Sequence, residues 1–448
     1  MQGDPMANNV LLIGNGAREH ALAEAIRRSR SNPNLFSYMK SNNPGIASLS
    51  EEVCLGSYDD LAEINEFARK HDIDFAVIGP EDPLSNGVVD TLKAIGIPSM
   101  GPTQSLARLE TSKAFTRDLL KKYKITGNPQ FKIFESMTGV QAFLEKLEKV
   151  VLKPDGLTGG KGVLVQGDHF HTRQEALELS HTILSEYARL IIEEKFEGEE
   201  FSLQCLSDGK AVIATPPVQD HKRRFNDDRG PNTGGMGSYS CADHLLPFLK
   251  KSDIEEGLDI TRRVAEAIYK ETGELFKGVM YAGFMVTKNG PRLLEYNARF
   301  GDPEAMNILP LLNTDFIDVC RAVIDGCLDQ LPVDFEKKAT VCKYIVPKGY
   351  GLPKDHPDAT STSAQIEIGD TGKARMYYSS VDKREDGLYL SSSRAIGVVG
   401  IADTLTEAEH IAEKAVSAIH GPVDHRPDIG TRNLIEKRVQ HMKEIRGE

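Results

Sequence analysis

Through the first hundred residues, short apolar runs alternate with amphipathic stretches. Residues 10–13 are a β-like run ending at Gly14-Asn15-Gly16, and a helix follows over 17–28. A second helix begins after Asp59-Asp60, with Leu61, Ile64 and Ala68 on one face. Residues 75–78 read as a buried strand closed by Gly79-Pro80, and a helix at 88–95 leads into Ile97-Pro98. This βαβα rhythm predicts a parallel sheet with helices on its faces. Ligands on such sheets sit at the carboxyl ends of strands, where the loops 14–20 and 79–86 fall.

From about Gly101 the texture changes. A helix at 112–123 precedes a strand at 150–153, which runs into a glycine-rich loop, and a second strand at 163–165 leaves it. Strand, glycine loop and strand make a hairpin. A helix at 174–187, a strand at 190–194 and antiparallel strands near 201–206 and 211–215 follow. Residues 219–240 are polar and read as a long loop, which is uncommon in a compact domain unless it binds something. The helix predicted at 253–271 carries Ile254, Leu258, Thr261, Ala265 and Ile268 as a core stripe. Strands at 280–287 and 292–296 close this region. Beyond Gln330-Leu331-Pro332 a strand-rich unit (339–346, 375–378, 388–390, 395–401) shows one clear helix, at 404–419.

The 448 residues exceed one ordinary core and suggest roughly three domains. With 40% apolar and 27% charged residues, the chain is a folded protein rather than a disordered one. Its 54 basic and 66 acidic side chains leave a net charge of −12, which argues against nucleic acid or an anionic membrane as a general partner. No apolar run approaches the roughly 18 residues of a membrane span. The polar first nine residues lack the apolar centre of a signal peptide. Six scattered cysteines form no CxxC, so reduced thiols in a cytoplasmic protein are expected and a zinc site is not.

Several stretches carry chemistry. Gly14-x-Gly16-x-x-Glu19 has dinucleotide spacing, but Glu19 stands where a small residue packs helix on strand, and no acid follows at the ribose position. A tight turn, or backbone amides holding an anion, are the alternatives. The loop from Gly156 through Gly159, Gly160, Lys161 and Gly162 is not a Walker sequence, yet its amides can close over phosphates, with Lys153 as a point charge. It also reads as a mobile turn. The acids of 193–200 form either a solvated face or a nucleotide hinge with a ribose-binding carboxylate. Glu295 and Asn297, two apart on a strand, share a face and offer the oxygen donors that Mg²⁺ prefers; a polar sheet face is the plainer reading. Residues 220–224 form a basic cluster, either for a phosphorylated substrate or for solvent.

In this order the motifs resemble the phosphoribosylamine–glycine ligase (glycinamide ribonucleotide synthetase) family of the ATP-grasp superfamily. The matching residues include Gly14 to Ala21, Gly79-Pro80-Glu81-Asp82-Pro83-Leu84, Ser112-Lys113-Ala114-Phe115, Lys153-Pro154-Asp155-Gly156, Gln219-Asp220-His221-Lys222-Arg223, the GPNTGGMG stretch at 230–237, and 295–304 with its RFGDPE. The resemblance implies an α/β and α+β multidomain fold. Its parts would be an N-terminal parallel α/β (pre-ATP-grasp) substrate domain (1–105), a two-lobed ATP-grasp domain (106–330, lid about 125–195) and a C-terminal strand-rich α+β domain (331–448). It also implies ligation of glycine to 5-phosphoribosylamine, with ATP consumed and glycyl phosphate as intermediate, in purine synthesis.

On the same grounds Lys113 and Lys153 would hold phosphates under the glycine loop. Glu193, Glu194, Lys195 and Phe196 would be the adenine hinge and Glu200 the ribose acceptor. Glu295 and Asn297 would hold Mg²⁺ or Mn²⁺. Arg299 would grip the acyl phosphate, with Lys153 and Asp220 as catalytic partners. Gly14, Asn15, Gly16, Glu81, Asp220, Lys222 and Arg299 would contact substrate. The expected partners are small molecules, with no nucleic acid or membrane, and the chain a monomer or weak homo-oligomer. The sequence departs from the family pattern at Ala17, at 281–284 where a further metal-ligating acid is common in the superfamily, and at Lys348-Gly349-Tyr350-Gly351. The competing readings are a sister purine enzyme using formate or bicarbonate, a nicotinamide oxidoreductase, and an ATP-binding regulator without turnover.

Overall fold

The structure is a computed structural model that describes residues 8–448 other than 160, 161, 354, 361 and 362. Among the described residues, five strands form the amino-terminal sheet: Asn9–Ile13, Asn34–Met39, Glu52–Leu55, Phe75–Ile78 and Ser99–Met100. They lie in the order third, second, first, fourth, fifth, all parallel. Val10 to Ile13 are fully buried at the sheet's centre, which is why that strand is a continuous apolar run. The two strands the apolar pattern does not announce, Asn34–Met39 and Glu52–Leu55, run toward the sheet's edge, where Leu55 is 53% exposed.

The second unit has two antiparallel sheets. One runs Phe131–Phe134, Leu190–Glu194, Val150–Pro154, Leu164–Val165. It closes over its own apolar cluster, with Phe134, Val140, Leu144, Leu152, Ile183 and Ile192 inside. The expected hairpin is present, with Val151 opposite Val165. Thr172 and Glu175 form a capping box that starts helix Arg173–Glu186. The other sheet runs Val212–Ala214, Glu199–Ser207, Gly278–Thr287, Gly290–Asn297. Helix Lys251–Thr272 covers it and stops at Gly273, which is left-handed at φ 76°.

The polar stretch 219–240 is not a loop, contrary to its composition. It contains strands Gln219–Asp220, Arg223–Phe225, Arg229–Asn232 and Gly237–Ser240. Gly237–Ser240 pairs with Ala339–Pro347, so the third unit's main sheet begins inside the second unit. Its buried hydroxyls are satisfied internally: Ser240 donates to Pro217 O (3.0 Å), Tyr239 to Gln219 (2.8 Å), and Ser238 bonds Asn307. Polar residues therefore fill a buried strand without penalty.

That sheet continues through Ile396–Ala402 and Arg375–Tyr378, and helix Leu405–Val416 lies on it. A Cβ at Gly400 would meet Ala408 O at 1.9 Å, so only glycine permits this approach. The third unit also has a second helix, Arg432–Arg446, where the sequence suggested one. This helix lies against the second unit: His441 reaches Glu199 at 2.5 Å and Arg446 reaches Asp253 at 2.7 Å. Its charge content masks a narrow stripe of Leu434, Ile435 and Met442.

Lys343, wholly buried on Ala339–Pro347, bonds both Glu409 (2.7 Å) and Glu413 (2.5 Å) of helix Leu405–Val416. Lys343→Met removes the cation between two carboxylates, leaving Glu409 without this partner and Glu413 with His425 alone (3.1 Å). The expected loss is about 3 kcal/mol, read as an earlier urea midpoint for the carboxy-terminal unit; an unchanged midpoint would remove this pair from the fold's supports.

Candidate active site

The two antiparallel sheets bring their charged residues to one cleft. On the first, the buried Lys153 Nζ lies 2.8 Å from Glu193 and donates to Leu294 O of the opposite sheet at 2.9 Å. Burial draws the lysine's pKa down, against the pull of Glu193. Lys113, at the start of helix Lys113–Lys122, donates to Gly156 O at 2.7 Å and so ties the base of the glycine loop. Asp155 supports the same corner, accepting from Ala114 N (3.1 Å) and pairing with Arg189 (2.6 Å). Gly156 and Gly159 adopt φ of +115° and +57° with open space around them. Gly160 and Lys161 lie outside the described residues.

The hinge assignment needs one correction. Glu193 sits between two strands, opposite Phe131 on one side and Val151 on the other, and its carboxylate is buried beneath Arg117 (2.6 Å) and Lys153. Its carboxylate holds cations, and its main chain is paired on both sides within the sheet. The Glu194 and Lys195 amides donate to Gln130 O and Lys149 O (both 2.9 Å). Among the described residues, the Phe196 amide has no protein partner.

On the second sheet, Glu295 and Asn297 both lie on the half-exposed face of Gly290–Asn297, while Tyr296 turns inward to Thr261. Glu295 stands directly across from Gly283, where a Cβ would lie in ordinary contact with Glu295 Cγ at 3.5 Å. Lys222 Nζ sits 3.5 Å from the exposed Glu200 and 3.8 Å from Glu295. Glu200 first, then Glu295, raise its pKa against burial. Among the described residues, no three His, Cys, Asp or Glu side chains form a metal cluster. The carboxylate–amide pair still suits a hard divalent cation that takes its remaining oxygens from phosphates and water.

The basic cluster at 220–224 divides. Lys222 faces the cleft, whereas Arg223 pairs with Asp168 (2.7 Å) and the buried Arg224 with Asp424 (2.7 Å). Asp220 has a buried Oδ1 without any partner. Burial, then Glu304, holds its carboxyl well above the ordinary range.

The amino-terminal unit supplies a third side. Arg299 spans Glu81 (3.1 Å) and Glu110 (2.9 Å), and its Nη2 reaches Asn297 Oδ1 at 3.5 Å. Arg299 holds Glu81 down to about 2, while burial pushes Glu110 up to about 7. In the glycine turn, Glu19 accepts from Gly16 N at 2.6 Å, and the Gly14 amide donates to Tyr38 O. The Gly16 amide is thus spent on a side chain, and Glu19 fills the space a nucleotide's pyrophosphate would need. Asn15 holds Ser41 (3.0 Å) and accepts from Tyr58 (2.7 Å).

Sequence reasoning missed Glu110, Arg117, Asp302 and Arg394. Arg394 comes from the carboxy-terminal unit, pairs with Asp302 at 3.2 Å, donates to Gly234 O at 2.6 Å and lies over the Tyr344 ring. Only the three-dimensional pairing of Gly237–Ser240 with Ala339–Pro347 brings it here. For Glu110 and Arg117, which sit on helices flanking Ser112-Lys113, the one available signal was charge on faces that also carry apolar residues.

Comparison with known proteins decides the family. The patterns of the phosphoribosylglycinamide synthetase N domain, ATP-grasp (A) domain and C domain match residues 8–110, 111–305 and 340–432. The chain belongs to the phosphoribosylglycinamide synthetase family. It is 47% identical over 438 residues to a phosphoribosylamine–glycine ligase of Methanosarcina barkeri, covering 98% of this chain and 100% of that one. A Methanocaldococcus jannaschii ligase of the same name is 46% identical over 447 residues, covering 98% and 99%. A crystal structure of the Thermotoga maritima ligase superposes with a TM-score of 0.78 at 26% identity, over 94% of this chain and 99% of that one. Membership accounts for the three-unit fold around one cleft, and no described helix is long and apolar enough to cross a membrane.

Glu110 gives the site a pH signature. Its folded pKa of about 7 stands above the ordinary 4.5, so the folded state holds the proton more tightly. Wild-type stability relative to Glu110→Gln should therefore fall as pH rises from 4.5 to 7, then level off. Melting temperatures of both proteins across that window test it; a constant difference would show that Glu110 ionises normally.

Proposed function

We propose that ATP lies between the two antiparallel sheets, with its phosphates toward Lys113, Lys153 and the 156–162 loop, its ribose at Glu200 and its base at the 194–196 segment. The residues 125–195 act as the lid, within domains bounded near 105 and 330. As a member of its family the chain ligates glycine to 5-phosphoribosylamine at the expense of ATP. The observation that carries the site reading is the convergence of Lys153, from the first antiparallel sheet, and Lys222, from the connection between Gln219–Asp220 and Arg223–Phe225, on the strand bearing Glu295 and Asn297.

The chemistry follows from charge. Glycine's carboxylate is inert toward amines, so an oxygen of it attacks the γ-phosphorus, ADP departs, and glycyl phosphate forms. Lys153 and Lys222 offset the negative charge spread over the transferring group. Mg²⁺ or Mn²⁺ bound at Glu295 and Asn297 would add Lewis-acid neutralisation of the same oxygens. Arg299, now holding Glu81 and Glu110, would exchange those carboxylates for the acyl-phosphate oxygens in bidentate geometry. The amine of phosphoribosylamine then attacks the acyl carbon, phosphate leaves, and the amine's surplus proton has an acceptor in Asp220 once that carboxyl is ionised. Glu81, Gly14, Asn15 and Gly16 line the side from which the ribosylamine approaches, and a closed lid keeps water from the intermediate.

Two measurements test this reading. Glu295→Ala should lower kcat by about 10²–10³-fold or more while the protein still melts like wild type; retained ligation would refute the metal pair. With ATP and phosphoribosylamine, glycine should release phosphate and form amide, whereas formate and bicarbonate should not. Turnover with formate alone would assign the sister activity.

A further inference from the structure

Strict alternation along Gly290–Asn297 would hide the residues the site needs. Pro291 and Leu293 are buried, so a regular strand would bury positions 295 and 297 as well. The register breaks instead. Gly283 faces Glu295 but Phe284 faces Leu293, which leaves Leu294 as an extra, bulged residue. The phase shifts by one, Tyr296 enters the core, and Glu295 and Asn297 turn to the cleft.

A bulge leaves backbone groups outside the ladder, and these need partners. Arg117, 2% exposed on helix Lys113–Lys122, supplies them: its guanidinium donates to Leu293 O at 3.1 Å and Leu294 O at 2.8 Å. The same guanidinium grips Glu193 at 2.6 and 2.9 Å. Lys153 binds the same two groups, Glu193 at 2.8 Å and Leu294 O at 2.9 Å. One carboxylate thus serves two cations, and the trio keeps one net positive charge beside the cleft.

We propose that Arg117 is a positioning residue for the nucleotide. It pins the bulge that aims Glu295 and Asn297, and it takes half of Glu193 so that the Lys153 charge stays available to phosphate. The proposal rests on the reading of Lys153 and Glu295 given above. A residue that only supported the fold would act on stability, independently of Lys153.

The test uses the full chain with Arg117→Gln, Lys153→Met and the double variant. The readouts are kcat, KM for glycine, melting temperature, and the Kd of a non-hydrolysable ATP analogue with and without Mg²⁺. Arg117→Gln should lower kcat and analogue affinity at least about tenfold, with KM for glycine within about twofold, and should add less than about threefold once Lys153 is Met. Effects that multiply, or unchanged analogue affinity, overturn the proposal. Should Lys153→Met alone leave kcat and affinity intact, the assignment of Lys153 fails instead, and the two failures are distinct. If Arg117→Gln does not fold, Arg117→Lys keeps the charge but cannot span Leu293 O, Leu294 O and both Glu193 oxygens at once. Native-like kcat and analogue affinity in that variant likewise overturn the proposal.

Discussion

Opposite charges must be stored side by side in this cleft without cancelling the site. Four of the cations facing it share at least one carboxylate: Lys153 with Glu193, Lys222 with Glu200 and Glu295, Arg299 with Glu81 and Glu110, Arg394 with Asp302, while Lys113 holds the Gly156 carbonyl instead. A buried cation alone would lose its proton or expel its helix, and a buried pair left whole would offer nothing to a ligand. Sharing solves both difficulties. Where two cations divide one acid, or one acid meets a cation already partly engaged, an incoming phosphate or carboxylate replaces a partner rather than creating a new charge. Binding then costs little reorganisation, and the specificity lies in geometry.

The third unit takes part in that geometry through its backbone. Because Gly237–Ser240 is a strand of the sheet built on Ala339–Pro347, the Gln219–Ser240 stretch cannot move independently of the carboxy-terminal unit. Asp220 and Lys222 are thereby held beside Arg394, which donates to Gly234 O of the same stretch. Gly235 shows how tight the arrangement is: a Cβ there would stand 2.9 Å from Asp220 Oδ1 and 2.8 Å from Pro303, at a φ of +111°. The backbone is glycine because the carboxylate already occupies the space.

Much of this was legible in the sequence where one residue pattern answers to one force. Fully buried strands such as Phe75–Ile78 and the long amphipathic helix Lys251–Thr272 show the expected periods, and Glu295 and Asn297 share a face as their spacing suggests. Their exposure, however, depends on a bulge that no alternation rule contains. The strand Gly237–Ser240 was hidden because its burial is compensated by hydroxyl bonds rather than by apolar side chains. Helix Arg432–Arg446 was hidden because it docks through ion pairs, with only a thin apolar stripe. Arg117 and Arg394 act on groups brought near by folding from far along the chain.

Glu19 marks where local spacing gives way to packing. A dinucleotide fingerprint uses its glycines to admit a pyrophosphate; here Gly14, Gly16 and Gly79 lack side chains because Glu19 lies among them. A Cβ at each would fall 2.3, 2.7 and 2.3 Å from its atoms. The carboxylate meets the Gly16 amide and Arg18 in place of a phosphate. The turn thus keeps the glycine spacing of a dinucleotide fingerprint while a carboxylate stands among its glycines. The fold alone does not select a substrate, since unrelated chemistries share such scaffolds. Selection falls to the side chains that fill or vacate the turn, and in this chain one glutamate fills it.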